Sequence, residues 1–196
     1  MNQQLISSAA KGNTEDVLTL LHDGAAINAT DNRGRTAVLA ATYNNKPDTI
    51  NALIENGANI DIRDNRLDNV LLYAGANGLL DIVKLAVAAG ADTSITNRFG
   101  GTALIPASER GHVDVVKELL THSDTDVNHI NDLNWTALLE AVILGDGGEK
   151  HQKIVQLLVD HGADVHIADG EGVTPLQHAQ EQEFKEIEAI LKKAGA

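Results

Sequence analysis

Eight histidines, 28 acidic side chains and no cysteine set the range of chemistry open to this chain. Histidine can hold a metal or carry a proton, and two carboxylates in one pocket can act as acid and base. The spacings assemble neither. His161 and His166 flank a turn, and His122 and His129 do the same upstream, but neither pair fits H-E-x-x-H or a comparable ligand set. The GDGGE stretch at 145–149 superficially resembles a calcium loop, yet it lacks the alternating ligands and the distal bidentate Glu. Without cysteine there is no disulfide framework, cysteine-ligated zinc or thiol catalysis. The G-x-S-x-G and G-x-x-x-x-G-K-[ST] patterns are absent. The carboxylates read as solvated groups at helix starts and on outer faces. No catalytic residue, metal ligand or cofactor is assigned, and the chain is read as non-enzymatic.

The basic side chains are unequally used. All six arginines (33, 35, 63, 66, 98 and 110) lie in the first 110 residues. That segment holds 9 Lys/Arg against 12 Asp/Glu, whereas 111–196 holds 6 against 16. A net charge of −13 argues against general nucleic-acid binding, which needs a dominant basic footprint. MNQQLISSAA lacks the basic start and apolar core of a signal peptide. No apolar run reaches the ~18–20 residues of a membrane span. A cytoplasmic protein is expected, unless a signal segment precedes this sequence. Abundant Leu, Ala, Ile and Val with few aromatics suit a helical protein with a layered, small-residue core.

The elements that carry these residues recur on a fixed period. Gly-Ala stands at 24–25, 57–58, 90–91, 162–163 and 195–196, and Ser123-Asp124 occupies the missing beat. The step is 33 residues, the signature of a repeat array. One added residue within 123–128 and five within 145–153 account for the longer interval. A Thr-like column runs Gln3, Thr36, Asn69, Thr102, Thr136, Thr174, and predicts helix N-caps. A small-residue column, Ser8, Ala41, Ala74, Ala107, Ala141, Ala179, lets helices approach closely. Gly12, Asn45, Gly78, Gly111, Gly145 and Glu183 mark the ends of first helices, where a left-handed residue is favoured. A second apolar segment follows, and an Asp/Asn/Gly-rich stretch such as ATDNRGR at 29–35 supplies turn chemistry. Each unit reads helix, turn, helix, then a hairpin-like loop. The insertion at 145–153 reads as a flexible glycine-rich bulge.

Three stretches fit a familiar pattern closely: GTALIPASERGHVDVVKELL at 101–120, IVQLLVDHGADVH at 154–166 and DGEGVTPLQHA at 169–179. The chain resembles an ankyrin repeat protein over nearly all its length. The resemblance implies an all-α ankyrin solenoid of six repeats joined by β-hairpin-like loops. The repeats run about 1–31, 32–64, 65–97, 98–131, 132–169 and 170–196, as one domain with polar capping repeats at each end. TALIPA followed by WTALLEAVILGDGG is also similar to a group of bacterial ankyrin proteins. Two departures stand out. The family's His three residues after the Thr is replaced by Ile6, Leu39, Leu72, Ile105, Leu139 and Gln177. Pro106 falls about one turn into a first helix, where the donor it removes lies near the unsatisfied first turn.

The resemblance further implies a non-enzymatic protein-interaction module. Its variable loop tips and inner-helix positions would line a concave surface. In this chain those positions carry Arg33, Arg35, Tyr43, Arg66, Arg98, Phe99, Arg110, Leu133 and Trp135. Arg, Trp and Tyr are enriched in binding hot spots, and an Arg fork takes carboxylates bidentately. A protein partner offering an acidic or aromatic segment would fit. A competing reading has the tip arginines bridging only to Asp31, Asp64 or Asp68, at roughly 0–1 kcal/mol per exposed pair. A ligand- or metal-responsive protein using the histidines and the 145–153 insertion is the alternative class. A hydrolase-like enzyme is a third.

Overall fold

Every apolar segment on the 33-residue beat folds as a short helix. The computed structural model describes residues 1–196 and contains twelve helices and no strand. In order they are α1 (Asn2–Lys11), α2 (Thr14–His22), α3 (Ala37–Tyr43), α4 (Pro47–Glu55), α5 (Val70–Ala76), α6 (Leu80–Ala88), α7 (Leu104–Glu109), α8 (Val113–His122), α9 (Ala137–Ile143), α10 (Glu149–Asp160), α11 (Pro175–Glu181) and α12 (Lys185–Lys193). No helix is long and apolar enough to cross a membrane.

Helix starts follow the Thr column where its chemistry allows. Thr36, Thr136 and Thr174 each accept the backbone N–H three residues on, at 3.2–3.3 Å. Gln177 returns the bond to the Thr174 N–H at 2.8 Å, closing a capping box. Asn69 caps α5 through Leu72 N–H at 2.9 Å. Two members fail. Gln3 lies inside α1, which Met1 begins without a side-chain cap. Thr102 caps nothing, its buried hydroxyl finds no partner, and α7 starts late, at Leu104. The cause is Pro106. Its missing N–H is the one that would reach the Thr102 carbonyl, so α7 starts one residue later after its Thr than α3, α9 and α11 do after theirs, and is the shortest of the twelve.

First helices end on left-handed residues at Gly12, Asn45, Gly78, Gly111 and Glu183, as the column predicts. Gly145 departs from it. The insertion moves the left-handed turn two residues on, to Gly147 at φ 68°.

The chain forms two compact units. Unit 1 comprises Met1–Ala74 and Leu79–Arg98, and unit 2 comprises Gly75–Gly78 and Phe99–Ala196. In unit 1, α1 packs on α3, and α2, α4 and α6 form the outer layer. Leu5, Leu39, Ile50, Leu53 and Ile82 are fully buried there. In unit 2, α7, α9 and α11 form the inner layer and α8, α10 and α12 the outer one, around Leu104, Leu119, Leu138, Leu139, Ile154, Leu158 and Ile187. Each such side chain contributes about 1.5–3 kcal/mol through burial. Ala41, Ala74, Ala107, Ala141 and Ala179 are wholly buried, so the small-residue column is where the helices meet.

Candidate functional site

The loops that present the tip side chains are held by a second periodic column, an Asp or Asn five residues before each cap. One carboxylate or amide oxygen accepts two backbone N–H groups, two and four residues on. Asp31 takes Arg33 and Arg35, Asp64 takes Arg66 and Asp68, Asn131 takes Leu133 and Trp135, and Asp169 takes Glu171 and Val173, all within 2.8–3.2 Å. These are Asx turns, which fix the loop without a strand ladder. The second polar atom of each residue is free for a different task. Asp31 Oδ2 accepts the Arg35 fork at 2.7 and 2.9 Å. Asp64 Oδ2 accepts the Tyr43 hydroxyl at 2.7 Å. Asn131 Nδ2 donates to Glu140 at 2.7 Å, and Asp169 Oδ2 pairs with His178 at 2.8 Å. Turn composition alone pointed to loops at these positions. The recurrence of Asp or Asn at 31, 64, 131 and 169 was the available signal for this role.

In unit 1 the tips enclose a recess of about 290 Å³, lined by Arg33, Arg35, Tyr43, Asp64, Asn65 and Arg66. Four predicted contact residues therefore meet in one place. The tips are joined by the Asn65 N–H, which donates to the Arg33 carbonyl at 2.9 Å. Tyr43 is half-buried, edge-on to Tyr73 with ring centroids 4.3 Å apart. Its hydroxyl donates to Asp64 and also stands 3.2 Å from Asp68 Oδ2. Burial and the two carboxylates push the phenol far above its ordinary range. Burial raises the Asp68 carboxyl as well, against the lowering effect of the Tyr43 bond.

The arginines divide by how firmly they are held. Arg35 is closed onto Asp31, as the local-bridge reading expects, and that bond helps hold the Asp31 carboxyl below its usual range despite the opposing effect of burial. Arg63 donates to the Thr96 carbonyl at 3.0 Å. Arg66 lies 3.9 Å from Asp68 with its side chain 66% exposed, so the pair is loose. Arg33 is exposed, and no side-chain bond within the molecule engages its guanidinium. Arg98 is exposed and lowers the Asp68 carboxyl electrostatically.

Unit 2 carries the other predicted contacts. The Asp132 N–H donates to the Phe99 carbonyl at 3.0 Å, so Leu133 stands on the tip beside Phe99. Phe99 is 54% and Leu133 53% exposed, while Trp135 is partly buried. Arg110 is exposed and donates to the Ala76 carbonyl at 2.8 Å.

The histidines do not converge. No group of three or more His, Asp or Glu side chains is placed to hold a metal. His129 faces the Gly100 carbonyl, His161 the Leu157 carbonyl and His112 the Ala76 carbonyl. His151, in the insertion, is 8% exposed. Its Nε2 meets the Glu109 carbonyl at 2.9 Å and its Nδ1 meets Asp146 at 2.8 Å. The bulge expected to be flexible is thus anchored from inside. The reading of all carboxylates as outer groups is corrected too. Glu140, on inner helix α9, is 6% exposed. Burial and, next, the nearby Glu109 push its carboxyl up to about 7.

Relatives place this architecture. A family model of ankyrin repeats in three copies matches residues 5–97 and again 71–169. An ankyrin repeat domain from Acinetobacter baumannii AYE superposes with a TM-score of 0.96 at 46% identity, covering 98% of both chains. The ankyrin repeat protein EF0377 superposes at 0.94 with 37% identity and the same 98% coverage of each chain. Ankyrin repeat protein YahD of Escherichia coli (strain K12) is 54% identical over 80 residues, which is 41% of this chain and 40% of that protein. The match thus spans about two-fifths of that curated relative. With capped helix pairs, left-handed glycines and Asx-held tips on one 33-residue beat, this chain belongs to the ankyrin repeat family.

Proposed function

We propose that the chain is a non-enzymatic interaction module that binds a partner protein through its tip loops and the adjoining ends of its inner helices. The observation that carries this reading is the unit 1 recess, where Arg33, Arg35, Tyr43 and Arg66 meet. Only Arg35 is fully committed to an internal partner there. Two loosely held guanidiniums beside a half-buried tyrosine match the composition of binding hot spots. On unit 2, Phe99 and Leu133 offer exposed apolar contact, and the partly buried Trp135 follows Leu133 by two residues. The cytoplasm is the compartment this reading assumes.

Affinity capture from native lysate, followed by mass spectrometry, tests the proposal. The wild-type chain is expected to retain a stoichiometric partner that the Arg33→Ala/Arg66→Ala variant, with unchanged circular dichroism, releases. Equal retention by both proteins removes the recess from the interaction.

A further inference from the structure

We propose that the unit 1 recess is a receptor for a single carboxylate on an acidic segment of the partner protein, gripped by Arg33 and Arg66, with Asp68 as the internal anion the ligand displaces from Arg66. This rests on the interaction reading above and names the chemistry of the contact.

The recess spends most of its own acidic charge internally. Asp31 is saturated, with one oxygen on two backbone N–H groups and the other on the Arg35 fork. Asp64 is 4% exposed and is likewise occupied, by the Arg66 and Asp68 N–H groups and the Tyr43 hydroxyl. These acids do not reach the guanidiniums of Arg33 or Arg66. The nearest internal anion to Arg66 is Asp68, and at 3.9 Å it attracts without a charge-assisted hydrogen bond, which needs about 2.7–2.9 Å. Arg66 is held electrostatically but keeps its donors. Arg33 keeps all of its own.

The ligand is a carboxylate rather than a phosphate on grounds of charge and donor supply. Guanidinium forks take the oxygens of either group bidentately. A phosphate brings a third oxygen and further charge, and the recess has little for either. The one hydroxyl proton, that of Tyr43, is already directed at Asp64 and Asp68, and Asp68 repels extra negative charge. The Tyr43 ring offers apolar surface to the methylenes of a Glu side chain.

The ligand belongs to a chain segment rather than a free small acid. Two exposed ion pairs are individually weak, so binding needs contacts continuing along the tips. Asn65 lines the recess, and Asn32 and Leu67 are exposed on the same two loops to supply them.

Fluorescence anisotropy at low ionic strength tests this, with a labelled Glu/Gly peptide, its Gln/Gly counterpart, a phosphoserine/Gly peptide and free glutamate as competitor. The Glu/Gly peptide is expected to bind, and the Gln/Gly peptide and free glutamate are not. Arg33→Ala and Arg66→Ala should each weaken binding about ten-fold, and Lys46→Ala should leave it unchanged. Asp68→Asn, which keeps an acceptor for Tyr43, should tighten binding measurably. Arg33→Lys/Arg66→Lys, which keeps charge but loses the forks, should fall between. Three results overturn the proposal: affinity indifferent to Arg33 and Arg66, preference for the phosphoserine peptide, or no gain from Asp68→Asn. If a lysate partner is still lost from Arg33→Ala/Arg66→Ala while no acidic peptide binds, the carboxylate assignment fails and the interaction reading stands. If that partner is retained by the variant, the recess has no part in the interaction and the carboxylate assignment fails with it; if the wild type itself retains none, the interaction reading fails.

Discussion

The Tyr43 hydroxyl donates to Asp64 Oδ2 at 2.7 Å, and this bond joins the end of one inner helix to the loop tip of the next repeat. The opposite oxygen of the same carboxylate organises that tip by accepting the Arg66 and Asp68 N–H groups. One side chain on α3 therefore sets the position of the tip that presents Arg66. Fold and candidate site are coupled through a single buried carboxylate.

Tyr43→Phe keeps the ring contact with Tyr73 and removes only the hydroxyl. It leaves Asp64, 4% exposed, without one of its donors. A cost of about 1–2 kcal/mol is expected. For a chain of this size that is a fall of roughly 3–6 °C in Tm. Thermal unfolding by circular dichroism checks it, and an unchanged Tm would mean that water replaces the bond at no cost.

The fourth residue of each tip is left-handed, and the chain fills that position unevenly. Gly34 has φ 76°, whereas Leu67 has φ 63° and is 40% exposed. A leucine there is strained by about 1–2 kcal/mol, and its 40% exposure limits the burial lost with the side chain. Leu67→Gly is expected to raise stability by up to about 1 kcal/mol. Gly34→Ala should do the reverse, because a Cβ there would stand 2.7 Å from Asn65 Oδ1 and 3.0 Å from the Asn65 backbone nitrogen. Urea denaturation of both variants measures the contrast. Equal and opposite signs to those given would show that the tip backbone relaxes freely.

The contrast between these two positions bears on what could be read from the chain alone. Periodic Gly, Ala, Thr and apolar residues each act locally or through a repeated contact, so helices, caps and the buried small-residue column were legible. Arg33, Arg35, Tyr43 and Arg66 could be placed on one surface through family resemblance. Their division into held and loose was not legible, because it depends on which oxygen of Asp31, Asp64 or Asp68 each donor reaches. Pairwise geometry of that kind has no sequence period. Glu140 was missed for a related reason. A single acidic residue in an otherwise apolar helix shows its burial only once Asn131 is seen to hold it.

His151 should prove structural. Its Nε2 faces the Glu109 carbonyl and so carries a proton, while Nδ1 meets Asp146, fastening the inserted turn to the preceding inner helix. His151→Ala removes both bonds and leaves a hole in a site that is 8% exposed. A loss of about 2 kcal/mol is expected, with faster amide exchange confined first to residues 145–148. Hydrogen exchange by mass spectrometry reads this directly. Unchanged protection of the insertion would show that its glycine turn holds without the imidazole.

Glu140 makes the stability of unit 2 depend on pH. In the unfolded chain its carboxyl titrates near 4.5, and in the folded chain burial first and Glu109 second move it to about 7. Between those values the folded state keeps a proton that the unfolded state has lost. Stability therefore falls as pH rises through this window: the contribution is fully present below about 4.5 and gone above about 7. Glu140→Gln cannot ionise, yet its amide oxygen still accepts from Asn131. Its Tm is expected to match the wild type near pH 4.5 and to exceed it by several degrees at pH 8, about 1–3 kcal/mol. Taking the difference between the two proteins at each pH cancels the titrating groups that do not interact with Glu140. Glu109→Gln removes the second cause alone and should narrow the window without closing it. A variant-minus-wild-type difference that stays flat from pH 4.5 to 8 would show that Glu140 ionises in the folded chain as freely as in water.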